Sequence, residues 1–145
     1  MLVLAVLGIS VVFIFPLIFQ PRVVPPTDLQ FGNPSAVVIP VSNQNLTPLT
    51  NLEYSCELSK MTLANGSEIT GATVLVRGSV RKMGGRKAIP VRCEAAYLVT
   101  PPLKTVEYKL TISYRMYPWP QRRESVYHIA AEMNADGLVT GWKLT

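Results

Sequence analysis

Val106-Glu107-Tyr108-Lys109-Leu110-Thr111-Ile112-Ser113-Tyr114-Arg115 alternates apolar and polar side chains without a break. A period of two puts the apolar set on one face of a strand and the polar set on the other, which is the pattern of a half-buried β-strand. Leu52-Glu53-Tyr54-Ser55-Cys56-Glu57-Leu58-Ser59 repeats it upstream. Helical periodicity does not occur anywhere after residue 22, so these two runs set the expected fold class as all-β.

Turn signals cut the rest of the chain at regular intervals. Asn43-Gln44-Asn45 follows a first strand near Ala36 to Ser42, and Asn65-Gly66 breaks the next pair. Gly84-Gly85 separates a run from Val74 to Met83 from one at Ala88 to Leu98. Pro101-Pro102, Pro118-Trp119-Pro120 and Asn134-Ala135-Asp136-Gly137 mark the remaining breaks. Such dipeptides favour hairpins and loops because Gly and Asn tolerate left-handed backbone and Pro cannot extend a ladder. About seven or eight short strands result. The expected architecture is an antiparallel immunoglobulin-like β-sandwich over residues 35–145, with a small closed barrel as the alternative.

Upstream of the strands the character changes. Residues 1–19, MLVLAVLGISVVFIFPLIF, contain no ionisable side chain. As a helix they would span roughly 28 Å, close to the hydrocarbon thickness of a bilayer. A cleaved signal peptide would carry a basic leading region, a shorter apolar run and a small-x-small cleavage site, and none of these is present. The expectation is one N-terminal transmembrane helix acting as a signal anchor over residues 1–20. Residues 21–34, with Pro21, Pro25, Pro26 and Pro34, read as a proline-rich spacer lacking either periodicity. Arg22 is the sole basic residue near the helix end, and taken alone it favours a cytoplasmic domain.

Composition limits the remaining possibilities. The chain has 145 residues, 48% hydrophobic and only 16% charged, with a net charge of +5. Charged residues are well below the roughly 25% usual for soluble proteins, the regular apolar pattern argues against disorder and a coiled coil, and the length beyond residue 19 is too short for a multidomain enzyme.

Both cysteines sit in inward-facing sets, Cys56 with Leu52, Tyr54 and Leu58, and Cys93 with Ile89 and Val91. They can bridge, which implies an oxidising compartment outside the cytoplasm, or pack as two buried thiols. A bridge would outweigh Arg22 in deciding topology. No tryptophan lies between them, so an antibody-type core is not expected.

Motifs for chemistry are sparse. One histidine, His128, and two core cysteines make no metal set of the usual ligand count. No nucleophile stands beside a base, and no glycine-rich phosphate loop joins a strand to a helix. The expectation is a non-enzyme without cofactors. The strongest anomaly is basic: Arg77, Arg81, Lys82, Arg86, Lys87 and Arg92 fall between Glu68 and Glu94 with no acid among them. Folded about Gly84-Gly85 they would form a cationic hairpin over residues 77–92, either a contact for anionic lipid or cell-wall polymer or a solvated, edge-protecting surface. The loop carrying Trp119, Arg122 and Arg123 is a second candidate surface, with Trp119 either exposed for recognition or folded back on the core. No nucleic-acid signature accompanies the charge. Asn45-Leu46-Thr47 and Asn65-Gly66-Ser67 match the glycosylation pattern, which has meaning only in a secreted eukaryotic chain.

The layout of an apolar N-terminal segment, a first strand ending in Val41-Ser42-Asn43, and then Pro48-Leu49-Thr50-Asn51-Leu52-Glu53-Tyr54-Ser55-Cys56 resembles a group of uncharacterised bacterial single-pass membrane proteins. The C-terminal half is similar to them as well, through Val106 to Tyr114, Tyr117-Pro118-Trp119-Pro120-Gln121-Arg122-Arg123, Asp136-Gly137 and Trp142. The resemblance implies a β domain tethered in the bacterial envelope, on the periplasmic or extracellular side of the cell membrane. It carries no established activity and transfers no functional residue. The expected partners are the membrane and either an envelope protein or an anionic polymer.

Overall fold

The computed structural model of the chain describes residues 22–23, 36–94, 103–117, 119–136 and 138–144. The expected transmembrane helix over 1–20, most of the spacer and the Pro101-Pro102 turn lie outside the described residues. Within them, eight strands follow one another: β1 (Arg22–Val23), β2 (Ala36–Ser42), β3 (Leu49–Leu63), β4 (Glu68–Met83), β5 (Ala88–Glu94), β6 (Leu103–Met116), β7 (Trp119–Met133) and β8 (Val139–Leu144). Among the described residues no helix is long and apolar enough to cross a membrane.

The strands form two antiparallel sheets, one of three strands in the order β1-β2-β5 and one of five in the order β4-β3-β6-β7-β8. Their inward residues make one core cluster. Val37, Ile39, Val41, Val91 and Cys93 come from the smaller sheet, and Leu52, Cys56, Tyr108, Leu110, Ile112 and Ile129 are among those from the larger. The arrangement is therefore sandwich-like, each sheet burying one face against the other. Val106, Tyr108, Leu110, Ile112 and Tyr114 are all buried, as their alternation predicts. Trp142 on β8 lies 6.1 Å from the Tyr108 ring and covers it at the sheet edge.

β3 departs from simple alternation at two places. Its register against β6 slips between Thr50 and Glu53, where Asn51 takes a left-handed φ of 47°. It slips again between Leu58 and Lys60 against both neighbours. Each bulge reverses the phase of the strand. Leu49, Leu52–Leu58 and Met61–Leu63 consequently all send residues into one core despite their mixed parity.

Two sequence expectations change. Arg22–Val23, within the stretch read as a spacer without strand character, pair antiparallel with Ser42 and Val41. Gly84-Gly85 does not close a hairpin: β4 ends at Met83 opposite Leu49 in the larger sheet, whereas β5 begins at Ala88 opposite Ser42 in the smaller. The cationic hairpin over 77–92 is thus a crossover between layers. The reason lies in the neighbouring loop. A Cβ on Gly85 would come within 2.4 Å of the Leu46 carbonyl oxygen, so the glycine permits close approach of two loops and not a tight turn. Arg86, at φ 55°, donates its N–H to the Asn45 carbonyl, and Asn43 donates its own to Lys87. The hairpin at Asn65-Gly66 does form, with Gly66 at φ 85° and Asn65 Oδ1 accepting the Ser67 N–H.

Candidate functional site

An open groove of about 560 Å³ lies on the outer face of the five-stranded sheet. The register explains its lining. Ser79, Glu53, Ser113 and Glu124 form one row across β4, β3, β6 and β7, and Arg77, Ser55 and Thr111 form the next. These are the polar half of the same alternation whose apolar half builds the core. Glu53 accepts from the Arg122 guanidinium, and Glu57 lies 3.8 Å from Lys109. Both members of the Glu53–Arg122 pair are exposed, so the pair organises charge on the surface and adds little stability. The groove offers hydroxyls and both signs of charge. Among the described residues no group of three His, Cys, Asp or Glu is placed to hold a metal ion.

Cys56 and Cys93 form a disulfide, with Cα atoms 5.9 Å apart, joining β3 of one sheet to β5 of the other. Both are fully buried. The sequence reading of matched inward faces holds because the two strands lie in facing layers, where inward residues meet.

The other sequence candidates are divided among several surfaces. Arg77 and Arg122 share the groove. Arg81 and Lys82 are exposed at the end of β4, and Arg86 and Lys87 are exposed in the crossover. Arg92 is exposed on the smaller sheet opposite Val38, away from the groove. Trp119 is half-buried against the core, so it is a lid and not a projecting recognition residue. Arg123 is half-buried beside Tyr114, and its Nε makes no hydrogen bond.

Sequence reasoning missed Asn43 as more than a turn former. It is fully buried, and its Nδ2 donates to the carbonyls of Thr47 at 2.9 Å and Gly84 at 3.2 Å. Its Oδ1 accepts the Asn45 N–H at 3.1 Å. One amide thereby ties the β2–β3 loop to the β4–β5 crossover, and only the three-dimensional meeting of those loops could reveal it.

Fold and site together define an all-β protein of two antiparallel sheets stapled by a disulfide, with a polar outer groove. No protein-family model matches the chain, and no curated protein matches it either.

Proposed function

We propose that this chain is a non-enzymatic, membrane-anchored interaction module of the bacterial cell envelope. In this reading residues 1–20 hold the sandwich at the bilayer on the periplasmic or extracellular side. The polar groove of the five-stranded sheet meets another envelope protein. The observation that carries the reading is the buried disulfide between the sheets, since such bonds persist in oxidising compartments and are rare in the cytosol. The uncharged apolar run of residues 1–19 supports the anchor. An immunoglobulin-like sandwich is the finer fold assignment, supported by two antiparallel layers with a bridge between them.

Crosslinking of the full chain in isolated membranes, followed by alkaline carbonate washing, tests this. The expected result is a carbonate-resistant chain joined to a second envelope protein, with the adduct reduced several-fold by Arg77→Glu in the groove. A chain stripped by carbonate, or one without any adduct, would contradict it.

A further inference from the structure

All connections of one kind gather at one end of the sandwich. Leu49 pairs with both Met83 and Met116, Met116 with Trp119, and Ser42 with both Ala88 and Arg22. The end of β2, the start of β3, the end of β4, the start of β5 and the β6–β7 turn therefore lie together. β1 also begins there, because it runs antiparallel to β2 with Arg22 opposite Ser42. The chain preceding Arg22 leaves the domain from this end.

The preceding chain is the uncharged apolar segment, and its leash is short. Only Gln20 and Pro21 separate Phe19 from Arg22. At roughly 3.5 Å per residue those links reach at most about 10 Å, comparable to the headgroup layer of a bilayer. A domain held this closely has its β1 end at the lipid surface.

The side chains at this end have the matching chemistry. Leu46 is 78% exposed in the β2–β3 loop and Tyr117 is 74% exposed in the β6–β7 turn. Around them Arg22, Lys82, Arg86, Lys87 and Arg115 are all exposed, and no acidic residue occurs in these loops or at these strand ends among the described residues. Apolar exposure alone would not choose between the ends, since Ile69 and Leu138 at the opposite end are 51% and 44% exposed. Charge does choose. The opposite end is mixed in sign, carrying Glu68, Glu94, Glu132 and Asp136 beside Lys104, with Lys60 paired to Glu68 at 2.7 Å and Lys143 paired to Glu132.

We infer that the β1 end of the sandwich is a docking surface for an anionic bilayer. Leu46 and Tyr117 enter the headgroup region, and the surrounding Lys and Arg side chains pair with lipid phosphates. Aromatic and aliphatic tips ringed by basic residues are suited to that interface, where both the apolar and the charged components contribute. The inference rests on the anchored reading above and deepens it, by fixing which end faces lipid and leaving the lateral groove free for a protein.

The test places a photo-crosslinking residue at Leu46, Tyr117, Ile69 or Leu138 of the full chain, in membranes from expressing bacteria. Lipid adducts at Leu46 and Tyr117 should exceed those at Ile69 and Leu138 by at least about tenfold, in line with headgroup contact at one end only. Reversing charge with Arg86→Glu and Lys87→Glu should lower the Leu46 adduct several-fold while the chain stays carbonate-resistant. Equal lipid adducts at both ends, or a protein adduct at Leu46 in place of lipid, would overturn this inference and leave the anchor standing. Loss of the chain on carbonate washing would overturn both.

Discussion

Asn43 is a fully buried side chain that bonds through both ends of its amide. A buried amide donating to two carbonyls of separate loops cannot be truncated without leaving those carbonyls unpaired. Asn43→Ala should cost about 2 kcal/mol, read as a lowered urea midpoint with an unchanged slope. Gly78 gives a second prediction at this scale. A Cβ there would stand 2.3 Å from the Tyr54 ring, which lies across the strand at that position. Gly78→Ala should therefore destabilise by about 1–3 kcal/mol, and most of the penalty should vanish when Tyr54→Ala is combined with it. A double-mutant cycle by urea denaturation reads that coupling.

Two buried tyrosines, Tyr108 and Tyr114, and the half-buried Tyr127 set a pH limit. Burial raises the phenol pKa of Tyr108, Tyr114 and Tyr127, with a hydrogen bond from Ser125 partly offsetting it in the last two. A phenol whose folded pKa lies above its unfolded value keeps its proton in the native state after the unfolded chain has lost it. Stability is thus complete below the ordinary phenol range near pH ~10 and declines as pH rises through the folded values. The urea midpoint should fall between about pH 9 and pH 11, and phenolate absorbance of the buried set should rise only with unfolding. A midpoint flat across that interval would contradict the assignment.

At the scale of elements, the disulfide and the bulges of β3 do different work. Cys56 and Cys93 are 37 residues apart and close a loop between layers. In the chain-entropy account the bond contributes about 4 kcal/mol, so unfolding with and without reductant should differ by a comparable amount. The alternation in β6 is uninterrupted, and its strand was legible from sequence nearly to its ends. β3 was legible only from Leu52 to Leu58. Leu49, Met61 and Leu63 reach the core through bulges at Asn51 and Ser59, and a bulge is set by the partner strands as much as by its own residue. Gly84-Gly85 misled for a similar reason. Local turn chemistry is the same for a hairpin and for a step between layers, and only the pairing of β5 with β2 separates them.

For the whole molecule, the sequence showed that basic residues cluster along the chain but not where they lie in space. Folding scatters that cluster: Arg77 enters the groove, Arg92 goes to the other sheet, and Arg86 and Lys87 join Arg22 and Arg115 at the β1 end. The resulting charge polarity is a property of strand order, and the proposed lipid-facing end follows from it. The order of events along the chain is consistent with this, because β1 follows the apolar segment almost directly.

Thiol labelling of intact cells is the decisive measurement for an anchored domain outside the cytoplasm. Cells expressing the full chain are treated with a membrane-impermeant maleimide, with and without prior reduction, and denatured to expose the buried cysteines. Cys56 and Cys93 should become reactive only after reduction. Free thiols that react upon lysis and denaturation without any reductant would contradict it, placing the domain in the cytoplasm.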